Sequence, residues 1–193
     1  MKILFIRHGE SVDDIEDRYG GWSDYDLTPK GKGQISKRVQ PINELNIKFD
    51  KIYYSPLKRA ALSAGILSNS LKVENEQFEY VKERNTYGLL SGMTKSEAKE
   101  KYPDQVDALE KGEYVDGSER YEDLTSRVKK SIDLVKKLNH KAIIVVTHGN
   151  YLKCLFAEFV GNKLIRKEDG GYVLMELKGG KLFPLESSGI EYE

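Results

Sequence analysis

Lys2-Ile3-Leu4-Phe5-Ile6-Arg7-His8-Gly9-Glu10 and Ala142-Ile143-Ile144-Val145-Val146-Thr147-His148-Gly149-Asn150 share one arrangement: an apolar run, then histidine, then glycine. Runs of this length bounded by glycine predict strands buried on both faces of a parallel sheet. The fold expected is therefore α/β: a three-layer sandwich, with a mostly parallel central sheet and helices on both faces. In an open sheet of this kind, ligands bind beyond the carboxyl ends of the strands. Both histidines are expected on that edge. They are two of only three in the chain. The third, His140, lies between polar residues and is not expected to be catalytic.

The neighbours of the two histidines indicate what the edge could hold. Arg7 offers a planar fork of donors that matches phosphate or carboxylate oxygens. Gly9 lets a ligand approach the backbone. The stretch from Gly149 to Phe156 predicts a helix, whose first N–H groups would favour an anion at the same place. One strand-end histidine is ordinarily structural. A matched pair, one preceded by arginine, points instead to anion chemistry.

Outward from this core, Thr28-Pro29 reads as a helix start, with threonine as cap and proline in the first position. Ile35, Val39, Ile42 and Leu45 mark its buried face, and Pro41 is expected to kink or interrupt it. Lys51–Tyr54 reads as a second strand. Ser55-Pro56 repeats the cap-and-proline start, followed by Leu57, Ala60, Ala64 and Leu67 at helical spacing. Lys58 and Arg59 fall in that helix's first turns, where the dipole repels cations. A cation pair at such a place suggests an anion to hold. Ser118 is expected to cap a further helix with Leu124, Val128, Ile132 and Val135 inward. Tyr172–Leu177, Gly179-Gly180 and Lys181–Leu185 read as a closing hairpin.

The 193 residues fit one domain, 1–193, with a lid-like insertion at about 83–117. Lysine plus arginine and aspartate plus glutamate number 31 each. A balanced chain is not expected to bind nucleic acid, which needs a basic excess. No apolar stretch approaches the ~20 residues of a membrane span. The single cysteine, Cys154, sits in an apolar helical run and reads as a core residue. A cytoplasmic protein is expected, with no membrane partner; a homodimer is left open.

Arg7-His8-Gly9-Glu10-Ser11 resembles the R-H-G-E-[ST] signature of the histidine phosphatase superfamily, branch 1, the phosphoglycerate mutase-like proteins. Thr147-His148-Gly149-Asn150 resembles that family's second H-G motif. Ser55-Pro56-Leu57-Lys58-Arg59-Ala60 is similar to its S-x-L-x-R-[AT] motif, whose arginine reaches phosphate. Glu83-Arg84-Asn85-Thr86-Tyr87-Gly88 is similar to the mutase motif whose glutamate is the general acid, with one extra residue before the glycine. By this resemblance the catalytic residues are His8, Glu83, His148, Arg7 and Arg59. Phosphate would also meet Asp14, Gly20, Gly21, Gly149 and Asn150. Family members usually carry asparagine where this chain has Asp14 and Asp17. A carboxylate at position 14 would either point away from a phosphate or select substrates that carry a cation or donor.

The resemblance implies neutral His8 attacking phosphorus to form phosphohistidine, with Arg7, Arg59 and protonated His148 meeting the phosphoryl charge. No metal is expected. The substrate would be a small phosphorylated metabolite. The mutases' Arg-Arg insert is missing, and residues 95–123 carry five cations against ten carboxylates. Such a lid disfavours a highly anionic substrate. A phosphomonoester phosphatase is therefore expected, with no cofactor. The alternative is a cofactor-dependent phosphoglycerate mutase, primed by 2,3-bisphosphoglycerate. Two remoter alternatives are a non-catalytic phospho-ligand sensor, and a metal held by His8, His148 and Glu83.

Overall fold

A computed structural model describes all residues, 1–193. Its centre is one sheet of six strands in the order β3-β2-β4-β1-β5-β6. The two strands that end in histidine lie side by side: β1 (Lys2–Arg7) runs parallel to β4 (Ala142–Thr147), with Lys2 opposite Ala142 and Arg7 opposite Thr147. On the other side of β4 lie β2 (Lys51–Tyr54) and then the short β3 (Asn75–Gln77), both parallel. On the other side of β1, the long hairpin of β5 (Leu164–Lys178) and β6 (Lys181–Tyr192) adds two antiparallel strands. The hairpin turns at Gly179-Gly180 as expected, and starts eight residues earlier than its apolar core suggests.

Alternation along the central strands separates two cores. Ile3, Phe5, Ile143 and Val145 face α6 (Tyr121–Val135) and α7 (Gly149–Leu155). Leu4, Ile6, Ile144 and Val146 face α2 (Pro29–Glu44) and α3 (Lys58–Leu71). All eight are almost fully buried, as strands covered on both faces must be. Beyond the carboxyl edge, where the short α1 (Val12–Ile15) follows the His8 loop, α4 (Lys95–Lys101) and α5 (Pro103–Glu110) enclose a small third core of Leu90, Ala98, Val106 and Val115, joined by Tyr19.

Three helix boundaries differ from expectation. Pro41 does not interrupt α2, which runs on to Glu44. Ile35 and Ile42 are buried on either side of it, and their packing outweighs one missing hydrogen bond. Ser55 does not cap α3. That helix starts at Lys58, whose N–H donates to Asp24 Oδ1 at 2.7 Å, while the Ser55 hydroxyl is committed to His148. Ser118 does not cap α6 either; Arg120 holds that position, and the Ser118 N–H closes a turn on Val115.

Candidate active site

The parallel register brings His8 and His148 together at the ends of adjacent strands, their ring centroids 4.9 Å apart. His8 Nδ1 lies 2.7 Å from the Gly9 carbonyl. A carbonyl only accepts, so Nδ1 carries the proton and Nε2 the lone pair. Arg59 Nε donates to that Nε2 at 3.3 Å. Burial first, then the guanidinium charges of Arg59 and Arg7, hold the His8 imidazole well below the usual histidine range, against the Gly9 bond. It stands as a neutral base.

Arg59 is itself buried and anchored. Nη1 donates to the Ser23 carbonyl at 2.7 Å and Nη2 to the Gly21 carbonyl at 2.8 Å. Gly21 has φ +58, which suits glycine and turns its carbonyl toward the guanidinium. Arg7 bonds the Lys167 carbonyl and pairs with Asp169, each at 2.9 Å through Nη1. Its Nε is buried without a partner.

His148 stands one layer deeper than expected. It is fully buried and is not part of the cavity wall. Its Nε2 is 2.7 Å from Ser55 Oγ, and its Nδ1 has no partner. Burial, then the charges of Arg59, His8 and Arg7, push its basicity well below the ordinary histidine value. The expectation of a charged His148 is therefore corrected. The protein's own cations favour the neutral ring; only a bound anion works in the opposite direction.

Glu83 carries the second correction. The N–H groups at the start of α7 were expected to face a ligand anion. They face Glu83 instead: Asn150 N and Tyr151 N donate to Oε1 at 3.1 and 3.3 Å, joined by Arg84 N at 2.8 Å. Oε2 keeps only one long bond, 3.3 Å from Asn150 N. The helix terminus thus orients a carboxylate of the protein itself. Trp22 and Arg127 fix the same residue from behind by donating to its carbonyl, at 2.7 and 3.1 Å.

A cavity of about 300 Å³ opens between these groups. Of the residues named from the sequence, Arg7, His8, Asp14, Gly20, Gly21, Arg59, Glu83, Gly149 and Asn150 line it. Asp14 is on the wall while its Oδ2 accepts from Ser11 N and Oγ at 2.9 and 3.1 Å. Asp17 is away from it, exposed and paired with Lys95. Sequence reasoning missed Asp13, Arg18, Tyr87 and Lys167 on the wall. Lys167 lies on β5 beyond its ladder with β1, with its carbonyl bonded to Arg7; burial, then Arg7, lowers its basicity. Arg18 carried a signal in its position two residues before the glycines, and Asp13 in being next to Asp14. Cys154 is buried, as expected of a core residue.

No helix of the chain is long and apolar enough to cross a membrane. Residues 3–171 match the model of the histidine phosphatase superfamily (branch 1). A 2,3-bisphosphoglycerate-dependent phosphoglycerate mutase from Elusimicrobium minutum is 36% identical over 103 residues, covering 52% of this chain and 42% of that enzyme. The chain thus matches less than half the length of that relative. Among solved structures, Bacillus stearothermophilus YhfR superposes with a TM-score of 0.80 at 26% identity, over 95% of this chain and 94% of that one. A putative alpha-ribazole-5'-P phosphatase from Escherichia coli shares the fold, with a TM-score of 0.83 at 20% identity over 96% and 95%. Its relatives are enzymes, both mutases and phosphatases, and the chain belongs to the histidine phosphatase superfamily, branch 1.

Proposed function

We propose that this chain hydrolyses the phosphomonoester of a small metabolite through a phosphohistidine at His8. The observation that carries this reading is the orientation of His8. Its proton faces the Gly9 carbonyl, its lone pair faces Arg59, and burial, then the charges of Arg59 and Arg7, keep it neutral. A further polar atom nearby, Arg7 Nε, is buried without a partner. An orphaned donor at such a site is what a phosphoryl oxygen would satisfy.

His8 Nε2 attacks phosphorus, and the bond from phosphorus to the leaving oxygen breaks. Arg7 and Arg59 meet the charge on the phosphoryl oxygens. Glu83 serves as the general acid: Oε1 is held by three N–H groups, which leaves Oε2 to pass a proton to the leaving oxygen. Glu83 then takes a proton from water, water attacks phosphorus, and the bond to His8 breaks. One ester and one water give one alcohol and one phosphate.

Hydrolysis is favoured over mutase chemistry by two carboxylates on the cavity wall. A bisphosphorylated primer brings two phosphates and a carboxylate. That wall presents Asp13 and Asp14, and Arg18 is already engaged by Glu16 at 2.6 Å and the Gly92 carbonyl at 2.9 Å. These two carboxylates weigh against 2,3-bisphosphoglycerate, and no step is routed through it.

The test is covalent labelling. Brief turnover of a labelled phosphomonoester, quenched in alkali, is expected to leave label on the protein that is acid-labile and absent from His8→Ala. Label on Ser11 or Cys154 instead would overturn the mechanism. Assaying 3-phosphoglycerate isomerisation alongside separates hydrolase from mutase.

A further inference from the structure

One charged side chain in the cavity has no task in this mechanism. Asp13 is only 6% exposed, lies on the cavity wall, and makes no hydrogen bond or ion pair; its Oδ1 is closed off from solvent without a partner. A buried carboxylate left in this state is costly. Three nearby cations are committed elsewhere: Arg18 to Glu16 and the Gly92 carbonyl, Lys95 to Asp17, Arg59 to two carbonyls and His8. Lys167 lines the same cavity and forms no ion pair, with Asp13 or any other carboxylate. The backbone makes room for the carboxylate. A Cβ on residue 20 would lie 2.5 Å from Asp13 Oδ2, so only glycine there leaves the oxygen where it is.

The position of Asp13 defines which end of a substrate it would meet. Tyr87 lines the same cavity as Asp13 and Glu83, and its ring would touch a Cβ on Gly21 at 3.3 Å. Glu83 is the group that serves the leaving oxygen. Asp13 shares the cavity wall with Glu83 and the arginine pair, and since phosphate is assigned to Arg7 and Arg59, the remainder of the ester is what is left to meet it. A bound group there that satisfies Asp13 must be a donor, and one that also cancels its charge must be a cation. The Tyr87 ring face suits an ammonium for the same reason.

We infer that the cavity selects phosphomonoesters whose alcohol carries an ammonium group, with Asp13 as the residue that recognises it. This rests on the phosphomonoesterase reading and narrows it to amino-alcohol phosphates.

The test compares three esters of similar size: 2-aminoethyl phosphate, 2-hydroxyethyl phosphate and propyl phosphate. Binding is measured by calorimetry in His8→Ala, where the esters stay intact. The aminoethyl ester is expected to bind about tenfold more tightly than either neutral ester, the scale of one desolvated charge contact. Asp13→Asn in the same background is expected to bring the three dissociation constants together. Equal affinities with Asp13 present overturn the inference, as does a preference that survives Asp13→Asn. A matching preference for the hydroxyethyl ester overturns the ammonium and leaves only a donor. Should Asp13→Asn not fold, the three-ester comparison with Asp13 present decides alone. Wild-type turnover of the same esters is scored separately. Hydrolysis of none of them would overturn the phosphatase reading, while the binding ratio still decides the role of Asp13.

Discussion

Arg127 and Glu119 meet at two points, Nε to Oε1 at 2.9 Å and Nη2 to Oε2 at 2.8 Å, and this pair carries the segment that presents Glu83. The remaining N–H groups of Arg127 donate to the carbonyls of Tyr80, Lys82 and Glu83, and Glu119 accepts from Asn85 N. Neither side chain lines the cavity. Their part is to hold the backbone on both sides of Glu83.

Arg127→Gln is therefore expected to lower kcat for alkyl phosphates by about ten- to a hundredfold, the range of general acid catalysis, with less change in KM. Aryl phosphates, whose leaving groups need little protonation, should lose much less. An equal loss on both ester classes would show that Arg127 serves phosphate binding or the fold as a whole. Thermal denaturation should also fall, by about 2–3 kcal/mol, for a partly buried pair broken from one side.

The two buried histidines predict an acid-sensitive fold. Both have basicity depressed in the native state, His8 and His148 alike, chiefly by burial and then by Arg59. The unfolded chain binds a proton on each below about pH 6.5, while the native chain does not. Stability should therefore fall as pH drops below that value, by up to about 1.4 kcal/mol per pH unit for each ring. Urea denaturation between neutral pH and pH 5 checks this. His148→Gln should flatten the slope, and an unchanged slope would show that the ring is already protonated in the native protein.

Two glycines hold the His8 loop against the start of α2. A Cβ on Gly31 would come within 2.0 Å of the Glu10 carbonyl oxygen, and one on Gly9 within 2.3 Å of the Gly31 carbonyl oxygen. Both obstacles are backbone, so neither can move aside cheaply. Gly31→Ala is expected to destabilise by at least the ~1–3 kcal/mol of ordinary overpacking, and to lower activity by shifting the loop that carries His8. Gly33, where a Cβ meets nothing within 4 Å, is the control, and Gly33→Ala should be neutral or slightly stabilising.

Much of this was legible because two signals were local. The apolar runs before His8 and His148 are strands whatever else surrounds them, and their likeness placed both histidines on one sheet edge. Arg59 was legible because a cation in a helix's first turn needs a reason. What stayed hidden depends on long-range pairing. Lys167 belongs to the site because β5 runs on past its ladder with β1 and its carbonyl there accepts from Arg7, across a separation no periodicity reports. The cap of α3 comes from Asp24, in a loop far from the helix in sequence, and so Ser55 was free to serve His148. The neutral state of His148 follows from burial beside three charged or basic neighbours, and a sequence shows none of them together. Asp13 was overshadowed by Asp14, whose departure from the family's asparagine drew the attention. The three-dimensional setting separates the two: Asp14 has Ser11 as partner, and Asp13 has none.

Asp14 gives the last prediction. It stands on the cavity wall, with Oδ2 tied to the Ser11 N–H and hydroxyl, so its charge is held in place near the phosphoryl cradle of Arg7 and His8. A fixed carboxylate there opposes a dianion. Asp14→Asn keeps an oxygen for the Ser11 N–H and removes one negative charge at nearly constant shape. Phosphate should then inhibit more strongly, by up to about tenfold, which corresponds to ~1.4 kcal/mol and is within reach of one like-charge contact at protein dielectric. The gain should shrink as salt rises, but only modestly, because partly buried charges are poorly screened. The variant should not alter discrimination between aminoethyl and propyl phosphate, since that contrast is assigned to Asp13. Phosphate inhibition constants for wild type and Asp14→Asn at two ionic strengths decide the point. Equal constants would place the Asp14 charge outside the reach of the bound phosphate and reduce its part to holding Ser11.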